Sequence, residues 1–314
     1  MMELVFMFSG QGAQYAGMGK ALYDNYKEAK RVFDEADEVL GYSIKDICFN
    51  DEEKLKNTEF AQPAILTMSM AAHEVLKEKG IKAQMAAGLS LGEYTALTAA
   101  GAFDFAEAVA LVQKRGKFMA EAVPNGEGVM YAIIGLDREV VDGICKEVRD
   151  SGAGFVVSAN YNCPGQIAIA GYKEPAKAAA KLAKEKGAKL TVKLKVSGPF
   201  HTELLNPARD LLLPELEKMT VKDMNIPVYT NVTGLPLESK EDIVPTLAKQ
   251  IVSPVRWEDT IMNMIENKAD TFIELGPGKA LNGFVKRCAK GLNVMNVEDL
   301  DSLDATLKSL EEVI

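Results

Sequence analysis

The sequence predicts an α/β protein: a largely parallel sheet covered by helices on both faces, with a small α+β domain inserted into it. Three observations carry this expectation. Short buried β-type runs recur at 5–8, 84–87, 227–231, 271–275 and 292–296, each followed by a Gly-rich turn or a helix start. That rhythm belongs to parallel strands joined by helical crossovers. The stretch from about 128 to 196 follows a different pattern. Finally, 314 residues suffice for one large domain with an insertion, or for two domains.

Within the differing stretch, 129–135 reads as a strand and 137–150 as a helix. Strands at 155–160 and 166–170 follow, joined by Asn162-Cys163-Pro164-Gly165. A helix at 173–186 and a last strand at 189–196 complete it. The order β-α-β-β-α-β is the ferredoxin-like arrangement. The expected division is a large domain of 1–127 and 196–314, and a small one of 128–195, reached through Pro124-Asn125-Gly126. A cleft between the two is the natural place for a substrate.

Composition excludes several classes. A net charge of -9 argues against general nucleic-acid binding, which relies on Lys and Arg to neutralise phosphates. No apolar run approaches the roughly 18–20 residues of a membrane helix. The opening Met1-Met2-Glu3-Leu4-Val5-Phe6-Met7-Phe8 lacks a basic region and reads as a first buried strand, not a signal peptide. Cys48, Cys145, Cys163 and Cys288 have no metal or redox spacing, so free thiols in a reducing cytoplasm are expected.

The chemistry concentrates in Gly88-Leu89-Ser90-Leu91-Gly92-Glu93, a G-x-S-x-G run between an apolar strand at 81–87 and an Ala-rich helix at 93–100. A serine on so sharp a strand-to-helix turn has its hydroxyl exposed above the sheet edge. Taken alone, the run is also compatible with a Gly-rich turn that happens to carry a serine. A serine nucleophile needs a base, and the chain has two histidines. His73 lies in a helix at 64–79 and is expected to pack there. His201 lies in the loop Val196-Ser197-Gly198-Pro199-Phe200-His201-Thr202, at the domain junction, and is the better candidate. No acidic residue stands out as the histidine's orienter, so a neutral oxygen is expected in that role.

Leu91 presents its backbone N–H at a helix N-terminus, where the dipole favours negative charge. Gln11, between Gly10 and Gly12 after the first strand, offers a second N–H for an oxyanion. The spacing there is not the G-x-G-x-x-G/A dinucleotide fingerprint.

Phe8-Ser9-Gly10-Gln11-Gly12, Gly88 to Glu93, Gln113-Lys114-Arg115-Gly116, Phe200-His201 and Glu274-Leu275-Gly276-Pro277-Gly278 occur in that order. Together they closely resemble the malonyl-CoA:acyl carrier protein transacylases of fatty-acid synthesis. The resemblance runs from the first strand to about Cys288. It implies an α/β-hydrolase-like core with the ferredoxin-like insert. It also implies Ser90 as acyl-carrying nucleophile, His201 as base, and Gln11 and Leu91 as oxyanion donors. By the same match Arg115 pairs with the malonyl carboxylate, and the backbone carbonyl of Gln250 orients the histidine. Asn162 matches an asparagine near the cleft. Phe200 matches malonyl-selective members, in which a bulky ring limits space for a methyl branch. One departure is visible: the family usually reads G-H-S-x-G, and here Leu89 precedes the serine.

Arg115 has chemical merit of its own, because a planar guanidinium binds a carboxylate bidentately and lysine cannot. An arginine in a helix at 105–122 is otherwise most often a surface group. Between Lys173 and Lys195 stand eight Lys and two Glu, with Lys173, Lys177, Lys181 and Lys184 at helical spacing. A solvated helix face is the plain interpretation; as a set they can steer an acidic carrier or the phosphates of CoA. The expected reaction is ping-pong malonyl transfer from malonyl-CoA to acyl carrier protein, with no metal or redox cofactor. Two other classes stay open: a thioesterase or patatin-like acyl hydrolase, and a non-catalytic carrier-binding scaffold.

Overall fold

The computed structural model describes residues 2–124, 126–196 and 198–313. Asn125, in the expected crossover to the insert, and Ser197, in the His201 loop, lie outside the described residues, as does Met1.

Five strands form a parallel sheet: β1 (Leu4–Phe8), β2 (Met85–Gly88), β7 (Val228–Tyr229), β8 (Thr271–Leu275) and β9 (Asn293–Val297), in the order β7-β2-β1-β8-β9. Strand β1 is central and entirely buried, which is why its sequence Leu-Val-Phe-Met-Phe is apolar on both faces. Leu4, Phe6 and Phe8 face one layer with Ala86, Ile273 and helices Thr58–Glu78, Leu91–Ala99 and Phe105–Glu121. Val5 and Met7 face the other, with Phe272, Trp257, Ile261, Leu281 and Val285 from helices Trp257–Glu266 and Ala280–Cys288. All five expected runs enter this sheet. Their extents differ: the run at 84–87 becomes a strand over 85–88, and that at 227–231 pairs only over two residues.

The remaining strands are β3 (Gly128–Ile134), β4 (Val156–Cys163), β5 (Gln166–Tyr172) and β6 (Leu190–Lys193), antiparallel neighbours in the order β4-β5-β3-β6. With helices Arg138–Asp150 and Lys173–Glu185 this is the ferredoxin-like order. Strand β4 continues through Asn162 and Cys163, which confines the expected loop to Pro164-Gly165. Strand β6 stops at Lys193, short of Val196.

Alternation sorts this sheet's two faces. Val129, Ile133, Ile167 and Ile169 pack against Val141, Ile144, Ala176, Ala179 and Ala183 of the two helices. Met130, Ala132 and Ala168 face the opposite way, into a cleft also lined by Ser90 and His201. Helix Lys173–Glu185 therefore sits behind the sheet, and its exposed lysines face away from the cleft. A parallel bridge ties β4 to the segment just before helix Trp257–Glu266: Tyr161 N–H donates to Val255 O at 2.8 Å and Val255 N–H to Ala159 O at 2.8 Å. No helix is long and apolar enough to cross a membrane among the described residues, and all four cysteines are free thiols.

Candidate active site

Strand β2 ends at Gly88, and helix Leu91–Ala99 begins after only two intervening residues, so the chain reverses within Leu89-Ser90. Ser90 holds φ 54° and ψ -101°, a conformation costing a non-glycine residue on the order of 1–3 kcal/mol. The turn closes because its flanking glycines lack a Cβ. One on Gly88 would stand 1.9 Å from the Gly92 backbone, and one on Gly92 would stand 2.1 Å from Phe8 O. Asn231, just beyond β7, fastens the turn from the other side. Its Oδ1 accepts from Ser90 N–H at 2.5 Å and its Nδ2 donates to Gly88 O at 2.8 Å.

His201 is 4% exposed and, like Ser90, has a positive φ, of 60°. Its Nδ1 lies 3.0 Å from Gln250 O and its Nε2 lies 2.7 Å from Ser90 Oγ. A carbonyl oxygen only accepts, so the ring proton sits on Nδ1 and Nε2 offers its lone pair to the serine hydroxyl. Burial, followed by the charge of Arg115, pushes the imidazole down to about 4. It is neutral at pH 7 and can take a proton. The orienting atom is a neutral carbonyl.

Arg115 projects inward from helix Phe105–Glu121 and is fully buried. Nη1 donates to Gln62 Oε1 at 2.7 Å. Nη2 donates to Gln250 Oε1 at 3.0 Å and to Ser90 Oγ at 3.1 Å. Its guanidinium lies over the Tyr94 ring, 4.9 Å from the centroid. The arginines that form ion pairs among the described residues are Arg31, Arg138, Arg209 and Arg256; the three bonds of Arg115 all go to neutral oxygens. Burial lowers its affinity for its proton. An anion brought to it would give this buried cation the ion-pair partner that its three bonds do not supply.

Gln11, Leu91, Asn162, Phe200 and Leu89 line the same cleft, whose volume is about 280 Å3. The Gln11 side chain is held by a 3.0 Å bond from Nε2 to Thr58 Oγ1. Gln250 lies buried beneath the pair. His73 lies elsewhere: it is buried in helix Thr58–Glu78, edge-on to Phe6 and 3.2 Å from Glu74.

Three further residues hold the site, and sequence patterns alone assign none of them a role. Gln62 and Asn231 are the first two. The third is Glu93, whose Oε2 accepts from Gln250 Nε2 at 2.7 Å and from Asn231 N–H at 3.0 Å. Its carboxyl is raised to about 7 by burial, against the lowering effect of those bonds and of Arg115. Asn231 ends one of the β-type runs at the edge that carries the serine, the one position from which it was discoverable.

A strained serine bonded to a neutral imidazole, beside helix-terminal N–H groups and a buried cation, is the equipment of an acyl-transfer site. The chain belongs to the acyl transferase domain family, whose model matches residues 5–304. Within it, the malonyl CoA-acyl carrier protein transacylase of Bacillus subtilis is 46% identical over 313 residues, covering 99% of this chain and 98% of that one. The crystal structure of the same enzyme from Clostridium perfringens superposes with a TM-score of 0.95 at 47% identity, covering 99% and 98% of the two chains. A malonyl-transacylase solved in complex with a type II PKS acyl-carrier protein gives a TM-score of 0.94 at 41% identity, covering 98% and 99%.

Proposed function

We propose that this protein transfers the malonyl group of malonyl-CoA to the phosphopantetheine thiol of an acyl carrier protein, through a malonyl-Ser90 intermediate, in fatty-acid synthesis. The observation that carries this is the fully buried Arg115, with neutral partners only, hydrogen-bonded to Ser90 Oγ. A malonyl group differs from acetyl by one carboxylate, and a guanidinium one bond from the nucleophile is placed to receive it.

Ser90 Oγ attacks the thioester carbonyl as its proton passes to His201 Nε2, while Gln250 O keeps Nδ1–H in place. The tetrahedral oxyanion is held by the N–H groups of Leu91 and Gln11. The C–S bond breaks, and the CoA thiolate leaves with the proton from His201. The carrier's thiol then gives its proton to His201 and attacks the malonyl ester; the C–Oγ bond breaks, and Ser90 Oγ takes the proton back from His201 Nε2. These steps need no metal or redox cofactor.

Residues 128–195 act as a separate small domain forming one wall of the cleft. Their strands pair with one another and not with those of the large sheet, and an isolated bridge at Asn160–Val255 ties them to the segment before helix Trp257–Glu266. Free thiols and the absence of a membrane-crossing helix among the described residues support a cytoplasmic setting. The relatives' transacylase names favour transfer over a thioesterase or patatin-like hydrolysis.

Intact-mass measurement after mixing with malonyl-CoA tests the proposal. A malonyl adduct is expected on the native chain and not on Ser90→Ala. An unmodified native chain would overturn it, and free malonate released without carrier acylation would favour the hydrolase.

A further inference from the structure

The bonds around Ser90 converge on a carboxyl that touches neither substrate nor the reacting atoms. Glu93 stands three residues after the nucleophile, in the first turn of helix Leu91–Ala99, and is fully buried. Gln250 Nε2 and Asn231 N–H, from elements 157 and 138 residues away, both donate to its Oε2. Each of those residues also grips the serine's own backbone. Gln250 Nε2 donates to Ser90 O at 3.0 Å, and Asn231 Oδ1 accepts from Ser90 N–H at 2.5 Å. Gln250 O in turn holds His201 Nδ1. Nucleophile, base and strained turn thus hang from three distant pieces of chain joined at one oxygen atom.

We propose that Glu93 is a positioning residue for the Ser90–His201 pair, acting through Oε2 as a shared hydrogen-bond acceptor and not through its charge. The proposal rests on the reading of Ser90 as nucleophile and His201 as base. Two features separate the acceptor role from an ionic one. Both bonds land on the same oxygen, while Oε1 has no hydrogen-bond partner. And a carboxyl raised to about 7 spends part of its time protonated near neutrality; a proton on Oε1 leaves Oε2 a carbonyl that still accepts both bonds. The junction therefore survives in either state. Arg115 reaches Gln250 and Ser90 directly, not Glu93. Loss of the junction would release Ser90 from a backbone conformation that it does not favour, and displacing a reacting group by about 1 Å can cost on the order of 10²-fold.

The variants Glu93→Gln and Glu93→Asp separate the two roles. Glutamine keeps an acceptor at the Oε2 position and loses the charge; aspartate keeps the charge and withdraws the acceptor by one methylene. The readout is sulfonylation of Ser90 by phenylmethanesulfonyl fluoride: the Oγ–S bond forms, the S–F bond breaks, His201 takes the serine proton and fluoride leaves. No CoA ester, carboxylate or carrier takes part. If native protein is sulfonylated at Ser90 but does not transfer malonyl, the function proposed above fails and this inference stands.

We expect E93D to lose roughly ten- to a hundredfold in sulfonylation rate and in kcat for transfer, with KM for malonyl-CoA within about threefold. E93Q is the conservative rescue, expected to recover the rate to within about threefold of native. A native rate in E93D overturns the proposal, and so does an E93Q as slow as E93D. If E93D does not fold, Gln250→Met takes its place: it removes the bridging amide but keeps the carbonyl on His201, and the same loss is expected, a native rate again overturning the idea.

Discussion

Arg115 Nη2 donates to Ser90 Oγ across 3.1 Å, so the buried cation and the serine of the strained turn are in direct contact without substrate. The guanidinium is fixed on its other edge by Gln62 and across its plane by Tyr94. It is built into the wall, and the proposed function makes it the group that receives the acyl carboxylate.

Arg115→Ala should therefore damage malonyl transfer far more than acetyl transfer. Leaving a buried carboxylate without its partner costs roughly 2–5 kcal/mol, at least about thirtyfold in kcat/KM. Arg115→Lys should recover little of it, since lysine lacks the fork that also reaches Gln62 and Gln250. Rates with malonyl-CoA and acetyl-CoA measured on the same variants check this; equal losses on both would remove Arg115 from its assigned role.

The imidazole of His201, held down to about 4, predicts an unusual pH profile. As base it must be neutral, and it stays neutral well below the ordinary histidine value of 6.5. Single-turnover acylation of Ser90 should keep its rate as pH falls from 7 to about 5, then decline toward 4. Because the folded value is depressed, this group's contribution to stability is complete above 6.5 and is lost as pH falls toward 4. An acid limb centred at 6.5 would contradict the buried, carbonyl-oriented ring.

Glu274, at the end of β8, behaves in the opposite sense. Burial raises it to about 7, although it accepts N–H bonds from Asn282 at 2.9 Å and Leu281 at 3.2 Å. A folded carboxyl that holds its proton while the unfolded one releases it makes stability fall as pH rises from 4.5 to 7. Glu274→Gln should flatten that dependence, so its Tm relative to native should be higher at pH 8 than at pH 4.5. A difference independent of pH between the two proteins would refute the raised value.

The lysine-rich stretch needs revision as a steering surface. Lys173, Lys177, Lys181 and Lys184 share a helix face, as their spacing suggests, but that helix lies behind the four-stranded sheet. Lys193 and Lys195 are exposed and alternate with Leu194 and Val196, which line the cleft. Reversing Lys193 and Lys195 to Glu should slow carrier acylation more than reversing Lys177 and Lys181, most of all at low salt. Transfer rates at two ionic strengths decide between the pairs, and the opposite ranking would return the carrier to the helix.

Most of the fold was legible because fully buried parallel strands are written as uninterrupted apolar runs, and the insert's element order is distinctive. Ser90 was legible from its glycines, and His201 because the chain holds so few histidines. Glu93, Gln62 and Asn231 were not. Their burial is created by segments between 53 and 157 residues away in sequence, and nothing in a local window assigns any of them a role. The lysine face shows the same limit from another direction: periodicity groups residues on one side of a helix but does not say which way that side points.

Gly88 and Gly92 leave no room for even a methyl group, whereas the position between Gly88 and Ser90 directs its side chain into the cleft. Shape at this corner is enforced by backbone crowding and by Asn231, so residue 89 is free to differ chemically while the corner stays put. A different side chain there changes the lining and spares the scaffold. Variation there is a way to retune what the cleft admits without rebuilding the catalyst.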